Sequence, residues 1–259
     1  MAALKSAGKA SPLWFCAGTL ILIIFWEIFS RLFGSELIFP GPLPVFKKLL
    51  SMIQGKSFYS ALGMSFARAL AGIIISAPLG CIFGIIAGLG KRRGALLQPF
   101  FSLTAAVPVM SVILICFLFL GAEKTPVFTA FLMVFPVMAA ASSEGVRRVD
   151  PLLKEMFRSY KMSRFETLIR LYIPETAPFV LGGLKSSLSL SWKVIVAAEV
   201  LVQPYRSIGA GMQEARARLE TAELFAWTIA AVAAAALTQG LLSLILYCCS
   251  EKKRKRGYK

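Results

Sequence analysis

Histidine is absent from the 259 residues, which removes imidazole acid–base chemistry, a histidine-based triad and the commonest metal ligand. Acidic residues are scarce, 13 against 29 Lys and Arg. No acidic cluster therefore supplies the catalytic constellation that an enzyme at a membrane surface would need. No Gly-x4-Gly-Lys-Ser/Thr segment occurs, so the chain has no loop of its own to cradle nucleotide phosphates. The cysteines, Cys16, Cys81, Cys116, Cys248 and Cys249, all sit in or at the ends of apolar runs. None has metal-ligand spacing, and such cysteines act as small hydrophobes. Metal and cofactor sites are accordingly not expected.

What is present is apolar. The chain is 57% hydrophobic with a mean hydropathy of +0.72, above the roughly 45–50% apolar content of soluble domains. A membrane-crossing helix needs about 20 mostly apolar residues. Six runs qualify or nearly so, at 13–33, 69–89, 95–122, 125–143, 184–203 and 224–250. The expected fold class is an all-α membrane protein with six transmembrane helices.

The net charge of +16 is sorted by those spans. Six crossings put both termini on one side, together with Lys5, Lys9, Lys91, Arg92, Arg93, the basic residues of 147–170 and the tail Lys252 to Arg256. The positive-inside rule makes that side cytoplasmic. No basic face with base-stacking aromatics is visible, so nucleic acid is not an expected partner and membrane lipid is. Lys5 and Lys9 before an apolar run resemble a secretory leader. The run continues to Arg31 without a small-x-small cleavage site, which favours an uncleaved first span.

After the first span, Phe39 to Pro44 is a proline-rich turn. Val45, Phe46, Leu49, Leu50 and Ile53 then recur at helical spacing with lysines between them. They predict a short amphipathic helix, either on the outer membrane surface or packed over the bundle. In the second span Gly80, Gly84 and Gly88 line one face for close helix packing. Three segments follow: 1–59 with the first helix and the external amphipathic segment, a core at 60–250, and a basic tail at 251–259.

Residues 144–176 form a basic, helix-patterned loop between two spans. Asp150-Pro151 is a good helix start, since Asp caps free N–H groups and Pro fits the first turn. Leu152, Leu153, Met156 and Phe157 are expected to form one apolar face, with Lys154, Arg158 and Lys161 away from it. The loop resembles the one by which permease subunits of ATP-binding-cassette importers dock on their ATPase. That signature reads Glu-Ala-Ala, three residues, Gly, nine residues, an apolar residue, any residue, Leu-Pro. Glu155, Leu171 and Ile173-Pro174 stand at the corresponding positions. Met156 and Phe157 replace the two alanines. Lys161 takes the Gly position, where a residue with a side chain adopts a left-handed turn only at a cost. Ser65, Arg68, Gly72, Pro78, Gly80, Pro108, Gly121, the stretch 145–151 and Ala197-Ala198-Glu199 follow the same family's order, closest to its nitrate, taurine and sulfonate importers.

The resemblance implies a type I importer permease fold with a cytoplasmic coupling helix, in a bacterial inner membrane. It implies docking through Glu155, Met156, Phe157, Lys161, Leu171, Ile173 and Pro174. The implied partners are a cytoplasmic ATPase subunit, an extracytoplasmic solute-binding protein and a second copy of the chain. The solute would be small and anionic or polar. ATP hydrolysis would lie on the separate subunit, so the chain itself is not expected to be an enzyme. A lipid-lying amphipathic helix accounts for the loop's charges equally well but not for its spacings. The alternative function is a self-contained secondary transporter or channel, which commonly carries inverted repeats and embedded acids; no repeat is seen here.

Charges inside spans are expensive and mark function or pairing. In the fifth span Lys185, Ser189 and Lys193 share a helical face, and Glu199 lies about 120° from Lys193. Ser189, Lys193 and Glu199 are candidates for the solute pathway, Lys193 as a counter-charge to an anion. The other reading pairs Lys193 and Glu199 with neighbours between helices, and lets Lys185 reach the interface. The charged outer loop 205–221 suits either contact with the binding protein or plain solvation.

Overall fold

A computed structural model describes residues 12–35 and 37–256, the side chains of 12, 13, 15, 105 and 247–256 excepted. Lys5, Lys9 and the basic tail's side chains therefore lie outside the described residues. Every apolar run is helical, because backbone in hydrocarbon must bond its own N–H and C=O groups. Among the described residues there is no strand. The helices are α1 (Pro12–Phe33), α2 (Pro42–Ile53), α3 (Lys56–Gly88), α4 (Lys91–Ala106), α5 (Val109–Arg147), α6 (Pro151–Ser159) and α7 (Arg164–Thr167). A π-helical segment (Leu168–Tyr172), α8 (Ile173–Val202), α9 (Ile208–Ala217) and α10 (Thr221–Arg256) complete the order. Among the described residues five helical runs are long and apolar enough to cross a membrane: Cys16–Phe33, Lys56–Gly88, Val109–Arg147, Arg164–Val202 and Thr221–Leu246.

The run at 95–122 is not one helix. Val107 is extended at φ −70° and ψ 128°, because the ring of Pro108 bars the α conformation to the residue before it. The chain restarts at Val109 and continues to Arg147, with a break at Gly121 (φ 72°, ψ 176°). A residue with a Cβ would be strained there. Residues 205–221, expected as a charged loop, contain α9, whose Ile208, Met212 and Ala215 are buried.

The chain divides into two compact units, one of residues 1–59 and 211–230, the other of 60–210 and 231–259. In the first, the proline-rich turn is tied to α1, since Trp26 Nε1 donates to the Pro40 carbonyl at 3.0 Å and Ser30 Oγ to that of Phe39 at 3.0 Å. Phe225 stacks on Trp26 and meets Phe39 edge-on. The amphipathic helix α2 buries Val45 and leaves Phe46 and Leu50 exposed. Its Lys48 Nζ donates to Glu220 at 2.5 Å and lies 3.0 Å from Glu223. The hydrogen bonds to Glu220 and Glu223 hold the Lys48 ammonium above its ordinary value of 10.5, and the bond from Lys48 holds the Glu220 carboxyl below 4.5.

In the second unit α5 packs extensively on α8. Small residues set how close the helices come. A Cβ on Gly84 of α3 would sit 2.3 Å from the Ala139 carbonyl oxygen of α5, and one on Gly183 of α8 would sit 2.6 Å from the Ala141 Cβ. Thus α5 receives α3 and α8 at distances that only glycine allows.

Candidate functional site

The loop between α5 and α8 is built from strong local signals. Asp150 caps α6, its side chain accepting from the Leu152 N–H at 2.9 Å, with Pro151 in the first turn. The helix ends in a Schellman closure: the Lys161 N–H donates to the Arg158 carbonyl at 3.0 Å and the Met162 N–H to that of Phe157 at 3.2 Å. This geometry needs a left-handed residue at the position after the cap, and Lys161 adopts it with φ 51°. Next, Ser163 and Glu166 form a reciprocal capping box that starts α7.

The turn between α7 and α8 is wider than α. Ile173 N–H donates five residues back, to Leu168, and Pro174 follows. Proline offers no N–H, and its ring crowds the carbonyl four residues back, so a π turn relieves the conflict. Leu171, in that turn, is buried at 3% exposure, whereas Ile173 is 48% exposed. From Arg164 to Val202 the chain is therefore one helical run of 39 residues, about 58 Å at ~1.5 Å per residue against a hydrocarbon core of ~30 Å.

At ~100° per residue the apolar residues Leu152, Met156, Leu153 and Phe157 of α6 fall within one arc of about 140°, the expected face, and its two edges differ in burial. Leu152 (72%), Met156 (44%) and Tyr160 (77%) are exposed; they stand four apart. Leu153 and Phe157 are half-buried, and Phe157 lines a cleft with residues of α7 and the π segment. Glu155 is exposed and carries no ion pair among the described residues.

Along α8 the intramembrane charges part company. Lys185 and Lys193 are exposed and Ser189 half-exposed. Among the described residues neither lysine has an ion pair or hydrogen bond. Glu199 is fully buried and accepts from Ser65 Oγ at 2.7 Å, Arg68 Nη1 at 3.1 Å and the Gly209 N–H at 3.3 Å. Arg68, itself 5% exposed, also donates from Nη2 to Glu123 at 2.8 Å and to the Tyr205 carbonyl at 3.0 Å. Ser65 Oγ accepts from the Ile208 N–H at 3.0 Å. The network joins α3, α5, α8 and the start of α9, and Gly209 is forced by it: a Cβ there would stand 2.3 Å from the Val200 nitrogen.

Glu199 thus closes a structural clasp while Ser189 and Lys193 stay on an open face. Ser65 and Arg68 were not foreseen as Glu199's partners, nor Glu123 as Arg68's. The signal was the i, i+3 spacing of Ser65 and Arg68, which puts hydroxyl and guanidinium on one helical face. Among the described residues no three Cys, Asp or Glu side chains converge in a way that could hold a metal ion.

A model of the family described as binding-protein-dependent transport system inner membrane component matches residues 77–256, from within α3 to the end of α10. The chain belongs to this family. It is 30% identical over 206 residues to the bicarbonate transport system permease protein CmpB of Synechococcus elongatus, covering 74% of this chain and 73% of that one. It is 28% identical to the taurine transport system permease protein TauC of Escherichia coli K12, over 88% and 86% of the two chains. The crystal structure of a bacterial ABC transporter involved in import of the acidic polysaccharide alginate overlays with a TM-score of 0.62. It spans 93% of this chain and 96% of the other at 13% identity, a likeness of fold alone. The protein is an ABC transporter permease subunit, a multi-pass inner-membrane component and not itself an enzyme.

Proposed function

We propose that this permease forms, as a homodimer, the path of a small anionic or polar solute into the cytoplasm, driven by a separate ATPase subunit. The observation that carries the reading is the single helical run Arg164–Val202. One end of it belongs to the loop with exposed Met156 and Tyr160, and its membrane part bears the open Lys185, Ser189 and Lys193 face. A lysine turned to lipid at mid-span costs roughly 2.5–3.5 kcal/mol, so that face belongs against a second copy or a watery path. Movement of the loop then moves the solute face as one rigid element.

Six crossings follow if α4 and the start of α5 up to Gly121 together make the third and the rest of α5 the fourth. Both termini, α6 and the Lys91–Arg93 cluster are then cytoplasmic. In this reading 60–250 is the permease core, 1–59 an accessory helix with its external segment, and 251–259 a basic tail. The coupling helix is α6, with Glu155 and Met156 toward the ATPase. Phe157, Lys161, Leu171, Ile173 and Pro174 hold the loop's shape. A binding protein delivers the solute at the opposite face. Bicarbonate and taurine, named for the two relatives above, each carry an oxyanion group, which matches Lys193 as a counter-charge.

The test is copurification. An exposed anchor in a helix-in-groove contact contributes upwards of about 2 kcal/mol, so Met156→Asp is expected to lose ATPase retention at least tenfold, with insertion of the permease unchanged. Wild-type chain alone should hydrolyse no ATP. Retention unaffected by Met156→Asp contradicts coupling through α6.

A further inference from the structure

Beside the coupling helix, on its inner side, lies an open cleft of about 910 Å³, within the roughly 300–1,000 Å³ typical of small-molecule sites. Four cations line it, Arg93 from the start of α4, Lys154 and Arg158 from α6, and Arg164 at the start of α7, and no carboxylate does. Among the described residues none of the four has an ion pair. Apolar groups, Phe157 and Leu168 among them, complete the wall. Leu89, in the turn between α3 and α4, also lines it and ends an apolar run, so in the topology proposed above the cleft opens where the hydrocarbon gives way to headgroups. Four unpartnered like charges held together repel one another unless an anion sits between them.

We propose that this cleft binds the phosphate headgroup of one anionic phospholipid, with Arg93, Lys154, Arg158 and Arg164 around the phosphate and Phe157 and Leu168 against the glycerol and upper acyl carbons. Arginine forks match phosphate oxygens in pairs. Basic pockets between helices on the cytoplasmic side are suited to such headgroups. An acidic protein surface would satisfy the charges but not the apolar wall at the membrane edge. The lipid would brace α6 against α4 and α7, fixing the angle at which the coupling helix is presented. The inference goes beyond the importer reading and depends on it only for the sidedness of the cleft, since headgroup retention in detergent needs no orientation.

The experiment is native mass spectrometry of the full-length permease in detergent, offered equal phosphatidylglycerol and phosphatidylcholine. Wild type is expected to retain phosphatidylglycerol selectively. Removing two cations with Arg93→Gln/Arg158→Gln should lower that preference about thirtyfold, whereas Lys56→Gln/Lys124→Gln, with equal charge removed elsewhere, should leave it intact. Should the first pair misfold by thermal melting, Lys154→Gln/Arg164→Gln gives the same readout. Equal preference in wild type and cleft variants overturns the proposal. So does a melting shift caused by inorganic phosphate in wild type without phosphatidylglycerol retention, which would mark a site for free anions. ATPase retention lost in the cleft variants with lipid preference unchanged also overturns it, in favour of an acidic protein partner. Failure of the Met156→Asp test with lipid retention intact would count against the importer coupling alone.

Discussion

Lys193 and Glu199 stand six residues apart on α8 and meet opposite fates. Glu199 is sealed at 0% exposure beneath a hydroxyl, a guanidinium and a backbone N–H. Lys193 is exposed with no partner among the described residues. A charge in a membrane span is thus two different signals. With its partners in the same fold it is part of the architecture. Without them, it points to something the monomer does not contain, which the proposed function supplies as a second copy and the path between.

The comparison breaks most severely at the clasp. Removing one side of a buried ion pair strands the other charge and typically costs about 3–5 kcal/mol. Arg68→Ala and Glu199→Ala should each leave little permease in the membrane by immunoblot. The double change Arg68→Met/Glu199→Met should restore part of it, because neither charge of the buried pair is then stranded, although the Tyr205 carbonyl and the Gly209 N–H lose their partners. Equal loss in single and double variants would mean the clasp serves more than structure.

Lys161 is a lysine held by backbone geometry. Glycine adopts its left-handed conformation without the Cβ penalty of about 1–2 kcal/mol. Lys161→Gly should raise the melting temperature by a few degrees, less the entropy that glycine adds to the unfolded chain. A lower melting temperature would show that the lysine side chain contributes more than its backbone costs.

Lys48 is the satisfied counterpart of Lys193, with Glu220 and Glu223 beside it. Glu220 titrates below its ordinary value, so its contribution is present above pH 4.5 and fades as pH falls through the lowered value; Lys48 titrates above its own, so its contribution is present below pH 10.5 and fades as pH rises past the raised one. Lys48→Met should cost about 1–2 °C at pH 7 and progressively less as pH falls through the lowered Glu220 value. A loss that does not shrink on acidification would assign Lys48 a packing role instead.

Much of this was readable in advance where the signal is local. The apolar runs became helices, Asp150-Pro151 starts α6, and Lys161 at the glycine position of the signature does turn left-handed. The amphipathic pattern at 45–53 is α2. Long-range pairing was not readable: Arg68 lies 131 residues from Glu199, and no periodicity connects them. The break at Val107 was carried by Pro108, which hydropathy averages away. The π turn follows from Pro174 conflicting with a helix that must nonetheless continue, a contest that propensity does not decide. Residues 205–221 looked solvated because their charges hide the buried Ile208, Met212 and Ala215.

The most direct test asks whether the Lys193 face meets water or lipid. With the five native cysteines replaced by alanine, Lys193→Cys and Leu22→Cys, the latter at a position 70% exposed on α1, are treated in intact membranes with a charged, membrane-impermeant thiol reagent. Lys193→Cys is expected to react, and to be protected by a transported anion, while Leu22→Cys stays unlabelled. Lys193→Cys as inert as Leu22→Cys would place that face in lipid and contradict its assignment to the solute path.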